Sequence, residues 1–245
     1  MRGGEFQPFE TAISFIERFK QSESITALTR TILEAASTFG YRNFSIIAGP
    51  QLARTDFEER IMLMHWPDDW LRQYVHENFQ DHDPVVRHAR SQAHSFFWTQ
   101  APYEPEHTKR SRVMDCAARD YNMPQGLCVP IYGMHGYEGS VNFGGPDIDS
   151  SMSARAAMEL MAMYAVNSLS RLRAADKEAA AVLSIREKEV LTWAAVGKTA
   201  WDTGRILQIS TDTVNKHIAS AMRKLDSFSK TQAVAESLRR GEIEI

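Results

Sequence analysis

Cysteine is nearly missing from this chain: Cys116 and Cys128 are the only two in 245 residues. Two thiols at that spacing make neither a disulfide framework nor a zinc site, and they fit a reducing cytosol with both thiols free. Long apolar runs are missing too. Nothing approaches the roughly 18 residues that a membrane span needs, and the first residues lack the apolar stretch of a secretory leader. A soluble, cytoplasmic protein with no membrane partner is expected. There is no excess of positive charge: 28 Lys and Arg stand against 31 Asp and Glu, a net −3 with a pI near 6.3. The molecule as a whole is therefore no general binder of polyanions. Eight histidines are scattered, without the i, i+4 pair and third ligand that a helix-borne metal site requires. No G-x-S-x-G nucleophile turn occurs either, so no metal, no cofactor and no enzymatic activity are expected.

What is present begins to make sense near the end of the chain. Ser184 and Glu187 form a Ser-x-x-Glu capping box before the apolar run Val190, Leu191, Ala194 and Ala195, and Gly197 stands where a helix would close. A second short helix from Thr199 would carry Ile206 and Leu207 inward. After Gln208-Ile209-Ser210, a third helix capped by Ser210 or Thr211 would bury Val214, Ile218, Met222 and Leu225. Its outward residues are then Thr213, Asn215, Lys216, Ala219, Ser220 and Arg223, a face suited to bases and phosphates. Positive charge is local here: Lys198, Arg205, Lys216, Arg223, Lys224 and Lys230 outnumber Asp202, Asp212 and Asp226. Periodicity alone would equally describe any small helical domain.

Earlier in the chain, Phe9, Ile13, Ile16 and Phe19 recur at helical spacing, as do Ile25, Leu28, Ile32, Leu33, Ala36 and Phe39 up to Gly40. Phe44–Ala48 and Arg60–Trp66 read as strands, the second with Met62, Met64 and Trp66 on one face. Pro67-Asp68-Asp69 opens a helix with Trp70, Leu71, Tyr74, Val75 and Phe79, and Asp83-Pro84 opens another with aspartate at the N-cap and proline first. A helix over 113–121 precedes Gly126–Tyr132 and Tyr137–Phe143, which flank the hairpin loop Gly133-Met134-His135-Gly136. A long helix from about Ser151 to Arg173, with Met152, Ala156, Leu160, Met163 and Val166 or Asn167 on one side, offers a dimer surface. The alanine-rich stretch that follows has too little apolar mass for a core and reads as a linker.

The segment from Leu183 through Thr231-Gln232-Ala233 resembles the DNA-binding domain of LuxR-type transcription factors. The likeness rests on Arg186-Glu187-Lys188-Glu189-Val190-Leu191, Gly197-Lys198-Thr199, Ile209-Ser210, Thr213-Val214 and Met222-Arg223-Lys224-Leu225, with Glu187, Leu191 and Gly197 at the family's signature spacing. Asp202-Thr203-Gly204 departs from the usual acidic-Ile-Ala. Because glycine costs roughly 1 kcal/mol in a helix interior, the domain is expected to be marginally stable by itself. Trp70, Tyr74, Asp83, Pro84, Trp98 and Gly126, with Asp83-Pro84-Val85-Val86 and Phe96-Phe97-Trp98, resemble the acyl-homoserine-lactone receptor domain of quorum-sensing LuxR-type regulators.

Together the likenesses imply an α+β protein: an N-terminal α/β/α sandwich on a five-stranded antiparallel sheet, linked to a C-terminal all-α helix-turn-helix. They imply residues 1–173 for signal binding and dimerisation, 174–182 as linker and 183–245 for DNA. The implied partners are an autoinducer, double-stranded DNA at a palindromic operator, a second copy of the chain and RNA polymerase. A homoserine lactone offers a ring carbonyl, an amide N–H and an acyl carbonyl. Trp70 is expected to donate to the first, Asp83 to accept from the second and Tyr74 to donate to the third, with Trp98 walling the ring. Without the likeness, Trp70 and Tyr74 would be ordinary core aromatics and Asp83 a plain N-cap. Trp66 stands where the family commonly has tyrosine and Asn142 where it has Ser or Thr, so Trp66 is expected to shape the acyl end. On the DNA side Lys198, Thr199, Thr211, Thr213, Asn215, Lys216, Ala219 and Arg223 are the expected contacts. A response regulator sharing this DNA-binding domain would need a receiver with an essential lysine. Before the linker the chain has only Lys20 and Lys109. A receptor of the same build for a different small molecule made by other cells stays open.

Overall fold

The computed structural model describes residues 7–49, 57–102, 108–134, 136–179 and 182–245. His135 of the expected hairpin loop and Ala180 and Ala181 of the expected linker lie outside them. The chain forms two compact units, one ending at Leu172 and one beginning at Arg173.

The first unit opens with α1 (Pro8–Lys20) and α2 (Ile25–Ser37). Ser24 caps α2 by accepting from the Ala27 N–H. Its strands are β1 (Asn43–Ala48), β2 (Ile61–His65), β3 (Phe96–Phe97), β4 (Gln125–Gly133) and β5 (Gly136–Gly145). They form one antiparallel sheet in the order β2-β1-β5-β4-β3. Alternation divides the sheet between two cores. Phe44, Ile46, Leu127, Val129, Val141 and Phe143 pack with Ile16 and Phe19 of α1, Leu28 and Ile32 of α2, and Met158 and Leu169 of α6 (Met152–Ala179). Full burial of each such side chain is worth about 1.5–3 kcal/mol. The opposite face turns to α3 (Asp68–His76), α4 (Pro84–Ala89) and α5 (Thr108–Arg119), giving the α/β/α sandwich. On that face Phe96, Cys128, Asn142, Ser45 and Met64 form one continuous row of register partners.

Several expectations need correction. Phe9 and Ile13 point outward, at 52% and 59% exposure, leaving Ala12, Ile16 and Phe19 to bury α1. Met62 does not share a face with Met64. Ile46 pairs with Leu63 and Ile47 with Ile61, so a bulge leaves Met62 as the extra residue and sends it to the other core. The third helix of the sandwich begins at Thr108, earlier than the apolar pattern indicates, because its first turns are polar. The two-residue strand β3 is too short to carry any periodicity. The long helix continues beyond Arg173 to Ala179, as alanine-rich sequence with high helix propensity allows.

The second unit contains α7 (Ile185–Ala195), α8 (Ala200–Leu207), α9 (Thr211–Lys224) and α10 (Lys230–Arg239). Ser184 and Glu187 form the expected reciprocal box, and Gly197 follows α7 at φ +84. Thr199 and Asp202 form a second box that starts α8. Val214, Ala221 and Leu225 are the buried line of α9, with Ile218 and Met222 half-buried beside it. Ile206 is turned out, at 43% exposure, whereas Thr203 and Gly204 are buried. A Cβ on Gly204 would stand 2.7 Å from the Ile209 carbonyl oxygen. The glycine that looks like a weak point of the helix is thus what lets the turn into α9 fold back on α8. Beyond α10, Glu242 accepts from the Val182 N–H at 2.7 Å and pairs with Lys188 at 2.9 Å, while Ile243 is buried.

Candidate functional site

The sandwich half formed by α3, α4 and α5 encloses a cavity with about 570 Å3 of unfilled space, its mouth included. Trp66, Trp70, Tyr74, Asp83, Trp98 and Asn142, all six residues expected at a ligand, line it together. Apolar walls come from Ile47, Phe57, Met64, Val85, Val113 and Ala117.

Among the described residues, Asp83 is the one carboxylate in this lining. Proline at the first position of α4 makes Asp83 the N-cap, and its Oδ1 accepts from the N–H groups of Val85 at 2.8 Å and Val86 at 3.4 Å. Its Oδ2 accepts from the Tyr74 hydroxyl at 2.7 Å. Burial pushes the Asp83 pKa up, with these three hydrogen bonds working against the rise. Burial, with Asp83 beside it, likewise holds the Tyr74 hydroxyl well above the usual phenol range. Tyr74 therefore keeps its proton, and that proton is given to Asp83. A hydroxyl has one proton to donate, so the expected donation from Tyr74 to an acyl carbonyl is not available while this bond stands.

Three indoles, with Asn142 and Ser45 on the sheet floor, add to the polar groups of the cavity. The ring centroids of Trp66 and Trp70 are 6.0 Å apart and nearly parallel at 18°, and Trp66 lies 6.0 Å from Trp98. The indole nitrogens of Trp66 and Trp98 are buried without hydrogen-bond partners. Trp98 is seated by absence of side chains: a Cβ on Gly126 would lie 2.2 Å from its Cε2, and one on Gly144 2.8 Å from its Cη2. Gly126 is thus structural. On the sheet floor Asn142 donates to Ser140 Oγ at 3.1 Å, and Ser45 stands opposite it in register. Ser45 also lines the cavity, and sequence reading missed it because it sits inside an apolar strand whose alternation becomes legible only once the register is known.

On the second unit, Lys198, Thr199, Thr211, Asn215, Lys216, Ala219 and Arg223 are all exposed, while Thr213 is half-buried. Ser210 ties Thr213 down by accepting from its N–H at 3.1 Å, and the two hydroxyls are 2.8 Å apart. The Thr199 hydroxyl donates to Asp202 at 2.6 Å. Asn215, Lys216, Ala219 and Arg223 share the outward side of α9, and Asp212, which is not among the expected DNA contacts, lies beside them.

Comparison with known proteins decides the family. Residues 24–169 match the autoinducer binding domain, and residues 181–237 match the luxR family of bacterial regulatory proteins. The chain belongs to the LuxR family of bacterial transcriptional regulators. Among similar proteins, the transcriptional activator protein BjaR1 of Bradyrhizobium diazoefficiens is 34% identical over 93% of this chain and 94% of its own. The quorum sensing-dependent transcriptional regulator RpaR of Rhodopseudomonas palustris is also 34% identical, over 96% of this chain and 95% of its own. In fold, the crystal structure of Escherichia coli SdiA superimposes with a TM-score of 0.66 at 22% identity, covering 95% of this chain and 98% of that one. This LuxR-family chain is accordingly a ligand-binding transcriptional regulator with a helix-turn-helix DNA-binding domain, and not an enzyme. Among the described residues no helix is long and apolar enough to cross a membrane, and no group of three or more His, Cys, Asp or Glu could hold a metal.

Proposed function

We propose that this regulator binds an N-acyl-homoserine lactone in the cavity and, as a homodimer in the cytoplasm, a two-fold symmetric operator where it meets RNA polymerase. The observation that carries the ligand reading is the Asp83 carboxylate, held by three donors among apolar walls and indoles. A second lone pair on Oδ2 accepts the ligand amide N–H, and Trp70 donates to the ring carbonyl while Trp98 walls the ring. Tyr74 orients Asp83. The Trp66 N–H, buried without a partner, is the donor for the acyl carbonyl, and its stacked ring limits the tail to short, branched or aromatic groups. Residues 1–173 are assigned to signal and dimer, 174–182 to the linker and 183–245 to DNA.

The test is a dose–response series across acyl-homoserine lactones differing only in tail. Short, branched or aryl tails are expected to act at the lowest concentration, and Trp66→Tyr is expected to reorder the tails rather than abolish all responses. A wild type that prefers twelve-carbon straight chains overturns the tail assignment, and one that binds none overturns the ligand class.

The dimer reading rests on α6, where Met152 is 87% and Met163 53% exposed on the same side as exposed Ala156 and Asn167. One reading helix meets only a few base pairs, so a two-fold pair is expected on half-sites about one helical turn apart. Sedimentation of the ligand-bound protein should give a dimer. A monomer that holds a single half-site as tightly as the full site is the contrary result.

On DNA, Asn215 and Thr213 are assigned to base edges, Ala219 to the groove floor, and Lys198, Thr199, Thr211, Lys216 and Arg223 chiefly to phosphates. Asn215→Ala should cost about 1–3 kcal/mol of preference at one base position, whereas Arg223→Ala should weaken all sequences alike and flatten the salt dependence. An unchanged ratio of operator to random affinity in Asn215→Ala rejects that division of labour.

A further inference from the structure

The outward side of α9 carries an acid where a polyanion is to be met. Asp212 Oδ2 lies 2.8 Å from Lys216 Nζ, one turn further on, with their side chains 74% and 76% exposed. The carboxylate favours the first turn of a helix through the macrodipole, which would be a purely structural role. Ser210 already caps that turn, however, and Asp212 spends its charge on Lys216. An ion pair this exposed is worth only about 0–1 kcal/mol, so it is broken easily when a better partner is offered. Double-stranded DNA presents one negative charge per about 1.7 Å of axis, and binding without sequence preference rests on lysine and arginine meeting those phosphates.

We propose that Asp212 is a specificity-determining residue that acts by holding Lys216. In complexes with arbitrary sequence the Asp212 carboxylate keeps the Lys216 ammonium partly neutralised and removes one phosphate contact. On an operator, the close approach of α9 that its base contacts permit lets Lys216 exchange Asp212 for phosphate. The pair thus lowers affinity for random DNA more than affinity for the operator. This role rests on the assignment of α9 as the reading helix.

The test uses the full chain as wild type, Asp212→Asn, Lys216→Ala and the double variant. Each is titrated against a fluorescent random-sequence duplex and against the duplex that wild type selects from a random library. Asp212→Asn is expected to tighten binding to the random duplex about threefold or more and to steepen the salt slope by about one unit. Affinity for the selected duplex should change less, so the ratio between the two falls, and most of the effect should disappear in the Lys216→Ala background. Random-duplex affinity and slope that do not move overturn the proposal. So does a parallel loss on both duplexes, which is the signature of helix damage, or an effect that persists whole without Lys216. Loss on the selected duplex alone would make Asp212 a direct base reader and equally overturns it. A wild type that selects no duplex removes the reading-helix assignment itself, and this proposal with it.

Discussion

Asp83→Ala is expected to lose its response to every acyl-homoserine lactone, whatever the tail. The amide N–H is common to all of them, and a buried amide left without an acceptor costs roughly 1–3 kcal/mol, about tenfold to over a hundredfold in affinity. The substitution also strips α4 of its N-cap, which costs about 1 kcal/mol of stability. Tyr74→Phe separates these effects, because it leaves the cap intact and removes only the proton that fixes Oδ2. It should weaken all tails by a smaller, uniform factor. Acid has a related effect. The ionised carboxylate is the better acceptor, and burial raises its pKa. Ligand affinity should therefore be full above that raised pKa and fall as pH drops through it, with Asp83→Asn losing the pH dependence. Calorimetric titration of one lactone across pH measures this, and an Asp83→Ala variant with the wild-type response to the panel would reject the head-group assignment.

Glu187→Gln is expected to remove a large share of the stability of the helical unit. Glu187 is 4% exposed, and its Oε2 accepts from Lys224 Nζ at 2.8 Å and from the Ser184 N–H at 2.7 Å. Burial alone would raise its pKa, but the hydrogen bonds from Lys224, Ser220 and Ser184 together outweigh burial and bring it down to about 2 from 4.5. A depressed carboxylate pKa stabilises the fold above the unfolded-state value and stops doing so as pH falls through the folded-state value. The window is therefore pH 4.5 down to about 2. With the Lys224 side chain 39% exposed, solvent screening trims what this shift is worth to about 1–2 kcal/mol. Hydrogen exchange of the α7–α10 amides in the whole chain should show protection lost by about that amount in Glu187→Gln at neutral pH. Protection equal to wild type would mean that the Lys224 contact contributes little.

The caps were the most legible part of this molecule. Ser184 with Glu187, Asp83 with Pro84, and Gly197 are local devices, each written within a few residues, and each forms the contact that its spacing implies. The cavity was legible only through a family likeness, since Trp70 and Tyr74 alone are indistinguishable from core aromatics. What stayed hidden depends on register or on distant packing. The bulge that diverts Met62 is set by how β2 pairs with β1, and Ser45 reaches the cavity because of its place in a strand rather than its character. Gly204 misled in the other direction: propensity counts its cost as a helical residue, but the close approach of the Ile209 carbonyl requires it. Tyr74 lines the cavity, yet which atom receives its single proton is a matter of tenths of an ångström that no spacing encodes.

The bond from the Val182 N–H to Glu242 makes the helical unit nearly circular. Its entry and exit strands of chain are held together by one carboxylate, with Lys188 and buried Ile243 beside it. Joining them with a short linker and opening the chain elsewhere, between α9 and α10 for instance, would add little closure entropy because the ends already meet. By the same reasoning a bulky fusion set directly after Ile243 would press on the segment that latches the unit shut. A fusion ahead of α1 would leave that latch alone.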